Sequence, residues 1–323
     1  MPMRGSMLTI AALAMLASAP AVAQEWPSKP VTLISPAAPG NSPDVITRII
    51  ADRLTQLWKQ QVVVLNRPGA GGLLAAQAAA GVDKDGYTLY ATQASSFNVL
   101  PVEQEGKMPV NLQKDFVSMG FFGEQPIGLG VHKDSPAKTV AELIALANKT
   151  PDGMFFGATN RGGQAHLTGE LFRERSKAKI EFVHASGAAV TLNDVIAGRI
   201  PIMFEALAGL DPGIQSGDVR LLGIAAAKRL PNMPELPTLA ETVPGVVSSG
   251  WIILMAPTGT PDAIIQKVNA DVRKVTAMPD VIARMQQLGT YSRDLTPAQT
   301  DEFIRGEEKL WWPVVRALKE KQG

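Results

Sequence analysis

Residues 31–44, VTLISPAAPGNSPD, hold the transition that decides the fold. The apolar run 31–35 is typical of a short buried strand, and a Pro/Gly loop follows it. Ser42 and Pro43 favour the N-cap and the first position of a helix. Apolar residues then recur at helical spacing, at Val45, Ile46, Ile49, Ile50 and Leu54. We therefore predict a strand, a loop and a helix that begins close to residue 43.

The loop between this strand and this helix is a candidate anion site. The first N–H groups of a helix have no partners within the helix, and the helix dipole favours negative charge at the same end. A carboxylate or phosphate could therefore lie against residues 38–41. An ordinary strand-to-helix turn is the alternative that this unit alone leaves open.

The first 23 residues have the pattern of a secretory signal peptide. Arg4 precedes an apolar run over 7–19, and the small residues Ala21, Val22 and Ala23 follow it. The run is too short to span a bilayer, so we expect cleavage after Ala23 and an exported mature chain. Losing Arg4 takes the formal charge from +1 to 0. A neutral chain argues against nucleic acid and anionic membranes as partners.

The residue types exclude several classes of chemistry. The chain has no cysteine, which excludes disulfides, thiolate metal sites and a cysteine nucleophile. Its three histidines, at 132, 166 and 184, lack the i, i+4 spacing of a helix-borne metal pair. A Gly-x-Ser-x-Gly motif is absent as well. We therefore expect no metal, no cofactor and no catalytic residue.

Strand-like and helix-like segments alternate along the mature chain, a pattern typical of a parallel α/β sheet. The predicted strands are 31–35, 62–65, 87–91, 127–131, 154–157, 180–183, 201–204 and 251–255. The predicted helices are 43–58, 73–80, 139–148, 164–175 and 188–197, with more after Thr260-Pro261 and Thr296-Pro297. Thr139 and Glu142 have the spacing of a capping box. The length favours two lobes over one.

Four glycine-containing loops follow predicted strands, at the sheet end where ligands collect. They are the opening loop and residues 68–72, 157–166 and 185–189. The second loop resembles part of a dinucleotide fingerprint, but Leu74 stands where a third glycine belongs, so a tight turn explains it better. The third has P-loop glycine spacing without the lysine, which leaves two alternatives, a carboxylate site or an empty helix start.

Two single residues near these loops have alternative roles. His166, in the first turn of a predicted helix, is better explained as a hydrogen-bonding scaffold than as a base. Glu205 follows the apolar strand at 202–204 and either takes a polar group of a ligand or is a solvated loop acid.

Motifs along the whole mature chain resemble those of the Bug-type periplasmic solute-binding proteins, which serve tripartite tricarboxylate transporters. The motifs are WPSKP at 26–30, PAAPG at 36–40, Asp44, NRPGAGG at 66–72, DGYTL at 85–89, KDF at 114–116, PAKTVAEL at 136–143, HLTGELF at 166–172 and APTGTP at 256–261. The resemblance implies an α/β fold of the two-lobed, type II-like periplasmic binding protein class, with two crossovers and a ligand cleft between the lobes.

By that resemblance residues 24–123 and 250–323 form one lobe and 124–249 the other. It implies a periplasmic monomer that binds a carboxylate and meets the permease subunits of a membrane transporter. The residues that we predict at the ligand are Ala37, Ala38, Pro39, Gly40, Asn41, Asp44, Ser95, Ser96, Thr159, Asn160, Gly162, Gly163, His166, Ser186, Gly187, Ala188 and Glu205.

Departures from the family pattern concern the choice of ligand. Ala37 stands where the family commonly has Phe, Asn41 and Ser42 replace glycines, and Ala-Ser-Gly at 185–187 replaces Tyr-Lys-Gly. We hypothesise a roomier, less basic pocket for an aromatic or longer-chain mono- or dicarboxylate. Glu205 stands where the family frequently has Asp, so a ligand that carries an amino group remains an alternative. The alternatives are a ligand-sensing receptor for a membrane signalling partner and an exported serine hydrolase that uses Ser95, Ser96 or Ser186.

Overall fold

The computed structural model describes residues 26–158, 161–184 and 187–320. Its strands are β1 Val31–Ser35, β2 Val62–Asn66, β3 Thr88–Gln93, β4 Phe116–His132, β5 Met154–Ala158, β6 Ile180–His184, β7 Ile202–Ala206, β8 Val219–Ile224 and β9 Ser249–Pro257. Its helices are α1 Ser42–Trp58, α2 Leu73–Ala80, α3 Ala94–Asn98, α4 Leu100–Glu103, α5 Leu112–Asp115, α6 Val140–Lys149, α7 Gln164–Ser176, α8 Ala188–Ile196, α9 Leu207–Gln215, α10 Leu239–Thr242, α11 Asp262–Thr276, α12 Pro279–Gln287 and α13 Pro297–Glu320. The signal-peptide prediction lies outside the described residues.

The strands form one mixed sheet in the order β2-β1-β3-β9-β4-β7-β5-β6, and β8 also pairs with β4. The 17-residue β4 joins two halves of this sheet. Residues 116–126 of β4 pair with β9, and residues 127–132 pair with β7 and β8. We call β2, β1, β3, β9 and residues 116–126 the first half-sheet. Residues 127–132 with β5 to β8 form the second half-sheet.

The sheet, predicted to be parallel, is mixed and has antiparallel pairs at its centre. The pairs β1–β2, β1–β3, β5–β6 and β5–β7 are parallel. The pairs that involve β4 and β9 are antiparallel, because both strands carry the chain between the halves. The predicted strand 127–131 is the last third of β4, whose first part no pattern in the sequence indicated.

Separate apolar cores lie under the two halves. In the first, Leu33 of β1 and Met119 of β4 pack with Val268 and Val272 of α11, all at most 1% exposed. In the second, Leu129 of β4 packs with apolar residues of α6, α7 and β5 to β7. The helices after β9 therefore return to the first half-sheet although they are last in the chain.

Two of the predicted helix starts differ in detail. The N-cap of α1 is Asn41, whose Oδ1 accepts from the Asp44 amide at 3.2 Å. Ser42 is the first helical residue instead, and its hydroxyl accepts from Gln125 of β4. Only half of the predicted capping box forms at α6, where Thr139 accepts from the Glu142 amide. The Glu142 carboxylate accepts from the amide of Lys138 rather than of Thr139.

Two searches of the described part of the chain gave negative results. None of its helices combines the length and the apolar character that crossing a bilayer requires. It also contains no group of three or more His, Cys, Asp or Glu side chains placed to hold a metal ion.

Candidate functional site

The carboxylate of Asp44 is hydrogen-bonded to the loop between β1 and α1, and this residue is only 2% exposed. This carboxylate accepts from the Gly40 amide at 2.8 Å, from Asn66 Nδ2 at 2.7 Å and from Arg48 Nε at 3.0 Å. Burial alone would raise the pKa of Asp44, but these three hydrogen bonds outweigh it and lower the pKa below its ordinary value. Asp44 therefore fixes the shape of the loop.

Asn66 and Arg48 complete this support and were not among the predicted site residues. Asn66 Nδ2 also donates to the Ala37 carbonyl at 3.0 Å, and Arg48 donates to Asn66 Oδ1 at 2.8 Å. Asn66 opens the NRPGAGG motif, so the motif was the signal that could have indicated it. The motif's first residue thus ties two neighbouring loops together.

Residues 38–41 form the exposed part of the opening loop. Gly40 has a φ of +79°, which favours glycine, and its amide is taken up by Asp44. Ala37 is 1% exposed and its amide donates to Ser35 Oγ. The methyl group of Ala37 therefore lies beneath the exposed residues 38–41, which we call the ridge.

The serines after β3 differ in accessibility. Ser95 is half-buried, and its hydroxyl lies 3.1 Å from Gln93 Nε2. Ser96 is fully buried, with its hydroxyl 3.5 Å from the Tyr90 hydroxyl. A Cβ at Gly72, whose φ is +102°, would lie 2.8 Å from Ser96 Oγ. The NRPGAGG loop and the start of α3 are therefore in close contact, and Ser95 is the more accessible of the two serines.

In the second half-sheet, His166 shapes the loop before α7. Its Nδ1 accepts from the Gly162 amide at 2.9 Å, which leaves the ring proton on Nε2. The ring is 2% exposed and lies 4.0 Å from the ring centroid of Phe182. Burial, with the nearby Arg161 and Arg173, lowers the pKa of His166 to about 4. Its geometry is that of a neutral scaffold.

The helices α7 and α8 begin without a capping side chain. Gly163 stands at the N-cap of α7 and Gly187 at that of α8, where its φ is +115°. Their first N–H groups thus donate to no side chain of the N-cap residue. Because β5 and β6 are parallel neighbours, the two helix starts emerge at the same edge of the sheet. Ala188 is the first residue of α8.

Three predicted site residues, Thr159, Asn160 and Ser186, lie outside the described residues. Glu205 lies at the end of β7 and is 9% exposed, so it is not a solvated loop acid. Its Oε1 accepts from the Ala206 amide at 3.0 Å. A Cβ at Gly209 would lie 2.6 Å from its Cγ, so the first turn of α9 packs on this side chain.

Two amide side chains that the sequence did not indicate connect the site with the crossing strands. Gln125, 4% exposed in β4, donates to Ser42 Oγ and to Thr290 Oγ1. Asn98, fully buried at the end of α3, donates to Gln164 Oε1 at 3.4 Å. Gln164 is the first residue of α7, so this contact joins the two half-sheets.

A separate cavity of about 800 Å³ lies beside the strand crossing. Its walls come from both half-sheets and include Glu124, Tyr291, Arg293, Ser248 and Glu307. Burial raises the pKa of the Glu307 carboxyl. Among the predicted site residues that the structure describes, none lines this cavity.

Solved structures share this architecture. A protein of R. palustris solved with adipate matches with a TM-score of 0.80 and 30% identity, over 90% of this chain and 98% of that one. MatC from Rhodopseudomonas palustris, solved with bound malate, matches with a TM-score of 0.75 and 28% identity, over 90% of this chain and all of that one. A mixed sheet divided by crossing strands, with helix starts grouped at its edges, defines the chain as having a solute-binding protein fold.

Comparison of the sequence with known families identifies one family within the solute-binding proteins. Residues 46–319 match the model of the tripartite tricarboxylate transporter family receptor. The protein BugT from Bordetella pertussis is 32% identical over 300 residues, which cover 93% of this chain and 92% of BugT. The chain belongs to the tripartite tricarboxylate transporter receptor family.

Proposed function

We propose that this protein captures an organic carboxylate between two lobes, residues 24–123 with 250–323 and residues 124–249, and delivers it to a membrane permease. The observation that carries the proposal is the pair of uncapped helix starts at Gly163 and Gly187, which emerge from neighbouring parallel strands. Free N–H groups and the helix dipole make such an edge favourable for a carboxylate. The exposed ridge 38–41 supplies the opposite wall.

The proposed ligand is a dicarboxylate of four or more carbons or an aromatic carboxylate. Adipate and malate are the ligands with which two of the similar proteins were solved. Ala185 and Ser186 stand where the family pattern has Tyr and Lys, which favours a longer or wider ligand. Each charge-assisted hydrogen bond contributes roughly 1.5 to 3 kcal/mol. A few of them with apolar burial reach the ~8 kcal/mol of micromolar binding.

We propose a periplasmic location and a binding role without turnover. Membership of a transporter receptor family supports the first. The side chains support the second, because Ser95 is engaged with Gln93 and Ser96 with Tyr90. His166, with its Nδ1 occupied and its pKa at about 4, is poorly suited to act as a base near neutral pH.

A thermal-shift screen of residues 24–323 tests the proposal. The series should run from succinate and malate through adipate to suberate and benzoate, with adipamide as the uncharged match of adipate. We expect at least one carboxylate to raise the melting temperature, since a ligand at 100 times its Kd stabilises by about 2.7 kcal/mol. Adipamide should have no effect. Stabilisation by sugars or cations, with none by any carboxylate, would contradict the proposal.

A further inference from the structure

An apolar contact joins the two half-sheets at α7 and α13. Leu167 and Leu171 of α7 pack with Trp311 and Val315 of α13 and with two valines near α4. We call this cluster the seam, and its members are Val99, Val102, Leu167, Leu171, Trp311 and Val315. All six are at most 6% exposed.

Four of the six seam residues form one wall on the first half-sheet. Trp312 Nε1 of α13 donates to the Phe97 carbonyl at 2.9 Å, and Lys319 Nζ donates to the Val102 carbonyl at 3.1 Å. These bonds tie the C-terminal helix to α3 and α4. Only Leu167 and Leu171 come from the second half-sheet. The seam is therefore a contact between α7 and residues of α13 and α4 that are tied together on the first half-sheet.

The helix that enters the seam is also the helix that begins at the candidate site. Leu167 directly follows His166, and the Gly162 amide bonds to His166. At the same end, Gln164 accepts from Asn98 of the first half-sheet and donates to Ser248 Oγ at 2.9 Å. Separation of the half-sheets along this line would expose Leu167 and Leu171 and break the Asn98–Gln164 contact.

We propose that the seam sets the balance between the open and closed arrangements of the lobes, which makes Leu167 and Leu171 positioning residues for ligand affinity. This inference rests on the proposed function. When only the closed form binds tightly, the apparent affinity falls with the fraction of closed molecules. Because Leu171 lies about two turns beyond the start of α7, weakening the seam there should lower the affinity for all ligands by one common factor.

The test compares Leu171→Ala with Leu143→Ala, a truncation of an equally buried leucine in α6 of the second core. Leu171→Met, which keeps most of the volume, is the rescue variant, and Leu171→Val is a milder truncation if the alanine variant does not fold. Titration calorimetry with three carboxylates gives the affinities. Small-angle scattering without ligand gives the radius of gyration.

We expect Leu171→Ala to weaken all three carboxylates by a common factor of about ten, which is ~1.4 kcal/mol, and to enlarge the ligand-free protein. Leu143→Ala should lower the melting temperature with affinities within twofold of wild type, and Leu171→Met should restore both readouts. Unchanged affinities in Leu171→Ala, or a changed ligand ranking, would overturn the inference. If wild type binds no carboxylate the proposed function fails, and an equal radius of gyration in both proteins then separately refutes the seam's role.

Discussion

Individual residues in this protein support the candidate site more often than they line it. Asp44 and His166 were both predicted at the ligand, and each accepts from a loop amide, that of Gly40 and that of Gly162 respectively. Both are at most 2% exposed. Their contribution to binding is therefore to fix where backbone N–H groups point, which is a form of pre-organisation.

The pKa of His166 predicts an acid-sensitive stability. Its folded pKa is about 4, below the ordinary 6.5, so between these values the unfolded chain binds more protons than the folded one. The stabilisation is complete above pH 6.5 and is lost as the pH falls towards 4. It amounts to about 3 kcal/mol. Urea unfolding of wild type and His166→Gln across this range should give a steeper slope for wild type, and parallel curves would contradict the pKa shift.

The backbone N–H at the first position of α8 can be tested with a substitution that removes it. Ala188→Pro removes one donor at the first helical position, where proline is tolerated. We expect a ten- to hundredfold loss of carboxylate affinity, since the lost bond is worth about 1.5 to 3 kcal/mol, with little change in melting temperature. Asp262→Pro, at the first position of α11, is the matched control. Equal affinities in Ala188→Pro and wild type would show that this amide does not meet the ligand.

At the scale of elements, the helices were more predictable than the central strands. α1 and α7 have local signals, namely apolar residues at helical spacing and turn residues before them. Residues 116–126 of β4 have none, because Gly120 and Gly123 interrupt their apolar pattern, whereas residues 127–131 were predicted as a strand. A Cβ at Gly120 would lie 2.8 Å from Val272, and one at Gly128 would lie 2.9 Å from Leu210. A side chain at these positions would clash with helices that are distant in sequence, so a local pattern could not explain the glycines.

In the candidate site, too, local sequence patterns could not show contacts between residues that are distant in sequence. The strand-to-helix loops were predictable because glycines and prolines mark turns locally. The amides that join them, Asn66, Asn98 and Gln125, act through partners 18 to 165 residues away. One-dimensional spacing carries no information about such contacts. Spacing also could not indicate burial. Ala37 and Ser96 were both predicted at the ligand, and both are buried.

The contact between the NRPGAGG loop and α3 gives a prediction at this scale. Gly72→Ala places a methyl group against Ser96 Oγ and forces a φ of +102° on a residue that resists it. We expect a loss of about 1 to 3 kcal/mol in unfolding free energy. Adding Ser96→Gly should return the steric part but not the part due to φ. Chemical denaturation of both variants measures this, and full recovery in the double variant would mean that the backbone is not strained.

At the scale of the whole molecule, two places compete as the ligand site. One is the proposed site at the edge where α7 and α8 begin. The other is the cavity of about 800 Å³ beside the strand crossing, with Arg293 paired to Glu124 in its wall. Because Arg293 is already paired with a carboxylate, this cavity is less suited to an anion. We therefore assign the carboxylate to the helix starts.

A crystal structure of the mature protein with its tightest carboxylate tests that assignment most directly. We expect a ligand carboxylate within hydrogen-bonding distance, about 2.7 to 3.2 Å, of backbone nitrogens at the start of α7 or α8. Residues 38–41 should close over the other side of the ligand. A carboxylate bound beside Arg293 in the crossing cavity, with both helix starts empty, would contradict the account.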